Sequence, residues 1–320
     1  MSTSSGWFAS MGDQRATIRP VIMLTGARGQ LGFELRRALS LFGDVVALDR
    51  ARLDLADHMQ LSQTMRNVRP RIVVNAGGYT AVDRAESERE LAQAVNADGP
   101  AVLAREAAQL GSLMVHYSTD YVFDGTREGW YRETDSPNPL SVYGQSKLGG
   151  ERAIEASGAA HAIIRTSWVF GVHGGNFLKT IIGAARRRES LSIVADQYGA
   201  PTPVHLIADV TAVMIARYLA SPSQFPSGVY HAAAAGETTW FAYADYALRS
   251  LRAKGVPLRV SEDAIVPIPA SEYPSAAPRP LNSRMDTAKL RDTFGIALPN
   301  WECGVDYVLE QLIEASQLMA

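Results

Sequence analysis

"LTGARGQLGFEL", residues 24–35, is the stretch whose reading decides the fold. It follows the apolar run "VIMLTG", which starts at Val21, and opens a segment of helical spacing. Gly26, Gly29 and Gly32 form a G-x-x-G-x-x-G array around Arg28, Gln30 and Leu31. With 26 glycines in 320 residues, chance yields such a triplet about 0.17 times per chain, so the spacing alone carries little. Its place between a strand and a helix carries more. A tight turn there aims helix N-terminal amides at a pyrophosphate, and side chains at the glycine positions would obstruct the approach. The competing reading is that the glycines serve turn geometry only.

Working outward, short apolar runs rich in β-branched residues recur as "VVALD" from 45, "IVVNAGG" from 72, "LMVHYSTD" from 113 and "AIIRTSWVF" from 162. Being apolar on both faces, they read as buried strands of a parallel sheet. Helical stretches separate them: "LGFELRRALSLFG", "ADHMQLSQTMRNV" and the long "SERELAQAVNADGPAVLAREAAQLG". Strand and helix alternating over about the first 170 residues is the pattern of a doubly wound α/β sheet. Beyond residue 170 the chain is punctuated by glycine and proline, and helical patterns fall around 176–188, 204–219, 239–253 and "ECGVDYVLEQLIEA".

The whole chain sets bounds. At 320 residues it exceeds the ~250–300 at which one core stops growing, so two unequal lobes are expected. A net charge of −2 argues against nucleic acid or an anionic membrane as a general partner. The lone Cys303 excludes an internal disulfide and reads as a small buried hydrophobe, which suits a reducing cytoplasm. Residues 1–19 lack the apolar core of a signal peptide and are read as a flexible extension, and no run is long enough to span a membrane.

The second strand ends at Asp49, 17 residues beyond Gly32, where a carboxylate can accept hydrogen bonds from an adenosine ribose and favour NAD. Arg28 and Arg50 can instead pair with a 2′-phosphate, so NADH and NADPH both stay open. Asp54 and Leu55 are candidates for the adenine side, or simply the start of a helix. Asn75, Ala76 and Gly77 end the third strand, where small residues let the chain pass close to a cofactor.

"SVYGQSK", residues 141–147, sets Tyr143 and Lys147 four positions apart, on one face of a helix. With 12 tyrosines and 4 lysines the spacing arises about 0.15 times by chance, so joint occurrence with the glycine turn is what matters. A nearby ammonium should lower the pKa of a phenol and make it a better proton donor to a carbonyl. "HYSTDYVFDG" adds Ser118 and Thr119 at a strand's carboxyl end, where open α/β sheets bind ligands and where a hydroxyl can orient a ketone oxygen.

The glycine turn, "STDYVFDG" and "YGQSK" together resemble the extended short-chain dehydrogenase/reductase superfamily, with Thr119, Tyr143 and Lys147 as its catalytic triad. In order, "GQLG", "YTAVDRAE", "VN", "STDYVFDG", "YGQSKLGGE", "RTSWVFG", "NF" and "DQYGAPT" resemble the dTDP-4-dehydrorhamnose reductases over nearly all of residues 21–303, with "RPLNSRMD" the one familiar run in the last third. The resemblance implies a doubly wound parallel Rossmann sheet over 20–170. It also implies a mainly substrate-binding lobe over 171–320, some of whose segments return to the sheet. It further implies NADPH or NADH, a dTDP-sugar substrate, reduction of its C4 ketone with Tyr143 as proton donor, and room for a homodimer. Tyr143 and Lys147 would then also touch the cofactor. Ser118, Thr119, Trp168, Asp196, Gln197 and Thr202 are implied substrate contacts, and Arg279 a diphosphate contact. One departure is Gly78, where the family pattern has alanine.

Some members of this family use a divalent cation. Glu34 reads as its ligand or as a first-turn glutamate favoured by the helix dipole, and the 6 histidines form no metal-binding cluster in sequence, so the sequence marks no metal residue. Two rival readings remain. A nucleotide-sugar epimerase or dehydratase shares the tyrosine and lysine, although Tyr121 follows Asp120 where a dehydratase has glutamate. A non-enzymatic NADP-binding subunit, like the regulatory subunit of methionine adenosyltransferase, has no need of an intact triad.

Overall fold

The computed structural model describes residues 19–315, so of the expected extension over residues 1–19 all but Arg19 lies outside the described residues, and Arg19 bonds the carbonyls of Ser40 and Gly43. In chain order the first half forms β1 Val21–Thr25, α1 Gln30–Leu39, β2 Asp44–Leu48, α2 His58–Val68, β3 Ile72–Asn75, α3 Val82–Ala85, α4 Arg89–Gln93, α5 Gly99–Leu110, β4 Leu113–Thr119, α6 Val142–Ala156 and β5 His161–Thr166. The second half forms β6 Val169–Phe170, α7 Phe177–Ala185, β7 Leu191–Val194, β8 Tyr198–Gly199, β9 Thr202–Pro203, α8 Val204–Ala220, β10 Gly228–His231, β11 Thr238–Thr239, α9 Trp240–Ala253, β12 Ile265–Ile268, α10 Ala288–Phe294 and α11 Trp301–Glu314.

The central sheet has six parallel strands in the order β10-β5-β4-β3-β1-β2. Strand side chains alternate between its two faces, as the period of 2 requires. Ile22, Leu24, Val74, Val115 and Ile164 pack with Leu35 of α1 and Met214 of α8. Met23, Val73, Met114 and Ile163 pack with Leu61 of α2 and Leu103 of α5 on the other side. Both faces are covered, which is why these strands read as continuous apolar runs. The strand order reverses between β1 and β3, and ligands of open α/β sheets bind at such a reversal, beyond the carboxyl ends of the strands.

A second core joins α7, α9 and α11 with the parallel pair β7 and β12 through Ile182, Leu248, Val305, Leu309 and Ile265. Three sequence expectations change. The long helical stretch over 87–111 is broken by one wide π turn at Ala94–Asp98, which brings the Asn96 side chain against Tyr79. The edge strand β10, in the glycine- and proline-punctuated half, was not read from the sequence. Cys303 is exposed, because the buried stripe of α11 runs through Trp301, Val305, Val308 and Leu312 and leaves it on the opposite face.

Candidate active site

The carboxyl ends of β1, β3, β4 and β5 surround a cleft of about 780 Å³. Gly26, Arg28, Gly29, Gln30 and Leu31 form one wall with Asp49, Arg50, Asp54 and Leu55, Ala76 and Gly77 lie at its floor, and Ser118, Thr119, Tyr143, Lys147 and Trp168 line the opposite side. The three groups of the implied triad thus face one space, continuous with the glycine turn.

The turn is built by backbone contact. Gly26 has φ +67°, and a Cβ there would lie 2.5 Å from the Gly77 nitrogen, so only glycine fits. A Cβ at Gly32 would lie 2.1 Å from the Gly26 oxygen. Gly32 therefore seats α1 on the turn and does not line the cleft. Gly29 differs: its backbone is extended, with φ −69° and ψ 168°, and a Cβ would meet only the Gly26 oxygen at 3.2 Å. As N-cap of α1 it brings no side-chain cap, and the first turn of that helix carries no acidic residue, so its amide end suits an anion. Gly29→Val should therefore fold normally and weaken NADPH binding by about tenfold or more, read by titration calorimetry; equal affinity would remove the turn from the cofactor site.

Asp49 forms an ion pair with Arg28, Nε to Oδ2 3.0 Å, and Arg50 lies 3.6 Å from Asp54. The acidic and basic candidates for ribose recognition thus hold each other. Asp49→Asn would both remove a charge that repels a 2′-phosphate and free Arg28 to meet one. The expected result is a rise of about tenfold in the NADPH to NADH ratio of kcat/KM, corresponding to roughly 1.4 kcal/mol; an unchanged ratio would place Asp49 away from the ribose.

Tyr143 and Lys147 stand on α6, whose N-cap Ser141 accepts from the Gly144 amide at 3.2 Å. The Thr119 hydroxyl, on the same cleft as the Tyr143 phenol, donates to Asp120 Oδ1 at 3.1 Å and accepts from the Tyr121 amide at 3.2 Å, and the Tyr121 ring meets the Tyr143 ring edge-on at 5.6 Å. Burial pushes the phenol's pKa up, with the neighbouring Thr119 hydroxyl opposing. This departs from the sequence expectation that Lys147 would draw it down. The Lys147 ammonium is turned instead to the Tyr117 carbonyl, at 2.5 Å, and to His116. Burial lowers Lys147 itself to about 8, against the pull of Glu151.

Asp120 follows Thr119 and is 2% exposed; burial raises its carboxyl to about 6 although Ser283 and Thr119 both bond to it, at 2.5 and 3.1 Å. Ser118 Oγ and Thr166 Oγ1 line the cleft, buried and without a hydrogen-bond partner among the described residues, so a polar ligand has two hydroxyls to engage.

Trp168 keeps a left-handed backbone, φ 49°, and stacks on Trp240 with ring centroids 3.6 Å apart. Other sequence candidates lie away from the cleft lining. Asn75 is fully buried beneath the floor, Asp196 accepts from the Ala270 amide at 2.7 Å, and Gln197 accepts from Trp240 Nε1 at 3.1 Å. Thr202 is fully buried, its hydroxyl donating to the Ala200 carbonyl. Arg279 pairs with Asp83 at 2.9 Å, outside the cleft lining; burial raises the pKa of the Tyr121 phenol, and the Arg279 charge acts to lower it.

Thr166 and Trp240 carry no role in the sequence reading, and Tyr121 enters it only as a departure from the dehydratase pattern. Thr166 and Tyr121 lie inside recognised motifs, whereas nothing local marks Trp240. A Cβ at Gly78 would sit 3.2 Å from Asn96 Oδ1 and 4.0 Å from Lys147 Nζ, so this departure does open space beside the lysine.

Glu34 lies beyond the first turn of α1, contrary to expectation, and pairs with Arg37 at 3.6 Å. Among the described residues no group of three His, Cys, Asp or Glu side chains forms a metal-holding cluster, and no helix is long and apolar enough to cross a membrane.

Residues 20–314 match the family described as RmlD substrate binding domain. A dTDP-4-dehydrorhamnose reductase of Burkholderia thailandensis is 46% identical over 91% of this chain and 99% of its own length. That of Escherichia coli K12 is 42% identical over 93% and 99%. The crystal structure of the Bacillus anthracis dTDP-4-dehydrorhamnose reductase in complex with NADP superposes with a TM-score of 0.81 at 34% identity, covering 92% of this chain and 99% of that one. With its parallel sheet, its glycine turn and the Thr119, Tyr143 and Lys147 groups around one cleft, this chain belongs to the dTDP-4-dehydrorhamnose reductase family.

Proposed function

We propose that this chain reduces the C4 ketone of dTDP-6-deoxy-L-lyxo-4-hexulose (dTDP-4-dehydrorhamnose) to dTDP-L-rhamnose, with NADPH or NADH as reductant. The observation that carries the reading is that Thr119, Tyr143 and Lys147 line the same cleft as the glycine turn. The glycine turn fits a dinucleotide, since Gly29 lines the cleft without a side chain and the amide end of α1 has no side-chain cap. Gly26 to Leu31 would hold the pyrophosphate, Asp49 with Arg28 and Arg50 the adenosine ribose, and Lys147 the nicotinamide ribose.

A bound reduced nicotinamide supplies the hydride that C4 receives. The remaining work belongs to the chain. Tyr143 gives its phenolic proton to the oxygen that gains charge as C4 is reduced, and Thr119 orients that oxygen. Lys147 stabilises the phenolate left behind. Trp168, backed by Trp240, offers an apolar wall to the sugar, and Ser118 and Thr166 offer hydroxyls.

The decisive assay follows the absorbance of reduced cofactor with the dTDP-ketosugar, separately with NADH and NADPH. Ketone-dependent oxidation is expected; turnover of a sugar nucleotide without added reductant would move the chain to the epimerases and dehydratases. Inertness combined with a stable hetero-complex would favour the regulatory-subunit reading. The reading places the enzyme in the cytoplasm, as a homodimer whose mass sedimentation would give, and assigns no role to a divalent cation.

A further inference from the structure

His116 is the one ionisable group touching Lys147 that the proposed chemistry leaves unused. It lies in the middle of β4, fully buried, and belongs to a chain of hydrogen bonds that crosses three strands under the cleft floor. Thr25 Oγ1 donates to Asn75 Oδ1 at 2.6 Å, Asn75 Nδ2 meets His116 Nδ1 at 3.0 Å, and His116 Nε2 meets Lys147 Nζ at 3.3 Å. Thr25 also accepts from the Gly77 amide at 3.4 Å, so each heavy atom in the chain has a role. Thr25, Asn75 and His116 are at most 1% exposed and Lys147 is 5% exposed, so water does not compete for these bonds.

The polarity follows from the inventory of donors. An amide nitrogen can only donate, so Asn75 Nδ2 requires Nδ1 of the imidazole to be an acceptor. A neutral imidazole then carries its proton on Nε2, aimed at Lys147 Nζ. A donor pointing at that nitrogen favours the amine with its free lone pair over the ammonium. Meanwhile Nζ keeps a hydrogen to give the Tyr117 carbonyl.

We propose that His116 is a positioning residue which, held in its Nε2–H form by Thr25 and Asn75, sets a donor against the ammonium form of Lys147 and so lowers the pH at which this lysine loses the charge the reaction needs. This rests on the reductase reading above. The other charged group acting on the pair is Glu151 on α6. Glu151 pulls Lys147 upward in pKa, while burial brings it down to about 8; burial and the lysine together keep His116 well below the ordinary histidine range, and so neutral.

Two readouts test this. In protein labelled with ¹⁵N-histidine, the resonances lost in His116→Phe identify His116 among the 6 histidines. They should report a neutral Nε2–H tautomer, unchanged from pH 5.5 to 9. The Nδ1–H tautomer, or titration within that range, would overturn the proposal. In kinetics at saturating cofactor, the alkaline limb of kcat near pH 8 should move upward in His116→Phe, because a donor opposing the ammonium is gone. It should also rise in Asn75→Asp, where a carboxylate forces the proton onto Nδ1, by about one pH unit. A downward shift in His116→Phe would mean that His116 accepts from the lysine, and an unmoved limb in both variants that it only fills space; either result overturns the proposal. The tautomer is read without substrate, so an enzyme that reduces no ketosugar would sink the functional reading and leave the spectroscopic test intact.

Discussion

Tyr143→Phe should lower kcat by roughly 10²–10⁴ while the Kd for NADPH changes by less than about twofold. The substitution removes one oxygen. That oxygen is the proposed proton donor, and it belongs to the same cleft as the glycine turn. The ring itself, set edge-on against Tyr121, is retained, so the fold should lose only about 1 kcal/mol. Stopped-flow reduction with saturating cofactor and ketosugar separates the chemical step from binding. A variant with unaltered kcat would mean that another group protonates the alkoxide. Asp120, held near 6 and bonded to Thr119, would then be the first candidate.

The second large effect falls on stability. Glu151 of α6 and Arg165 of β5 are 1% and 3% exposed, and the guanidinium bonds the carboxylate through Nε at 3.0 Å and Nη2 at 2.6 Å. The same guanidinium lies 5.1 Å from the centre of the Phe123 ring. Glu151→Ala leaves a buried cation without its partner and should cost about 3–5 kcal/mol, read as a lower urea midpoint at unchanged slope. The double variant Glu151→Met, Arg165→Leu should recover much of that loss, since an apolar pair of similar volume removes both charges together. A loss below about 1 kcal/mol in the single variant would mean that water reaches the pair. Because this pair ties the helix carrying Tyr143 and Lys147 to the sheet, the single variant should also lose activity before it unfolds globally.

What the sequence by itself determined is local. Five of the six sheet strands were legible because a strand covered on both faces is apolar throughout, and burial in a parallel sheet demands that composition. The glycine turn and the Tyr143–Lys147 spacing were legible because turn geometry and helical period act over a few residues.

Tertiary structure decided everything that depends on distant segments meeting. Strand β10 lies at a sheet edge and opens on Gly228 and closes on His231, so it carries no apolar run to declare itself. The π turn that aims Asn96 at Tyr79 interrupts a stretch whose helical spacing looks continuous. Trp240 reaches Trp168 across 72 positions, and Ser283 reaches Asp120 across 163. His116 looks in sequence like one polar residue in an apolar strand; only the register of β4 beside β3, which pairs Asn75 with His116, puts it between an amide and a lysine. Composition and period encode which face of an element is buried, whereas the identity of the partner waiting there is a property of the assembled chain.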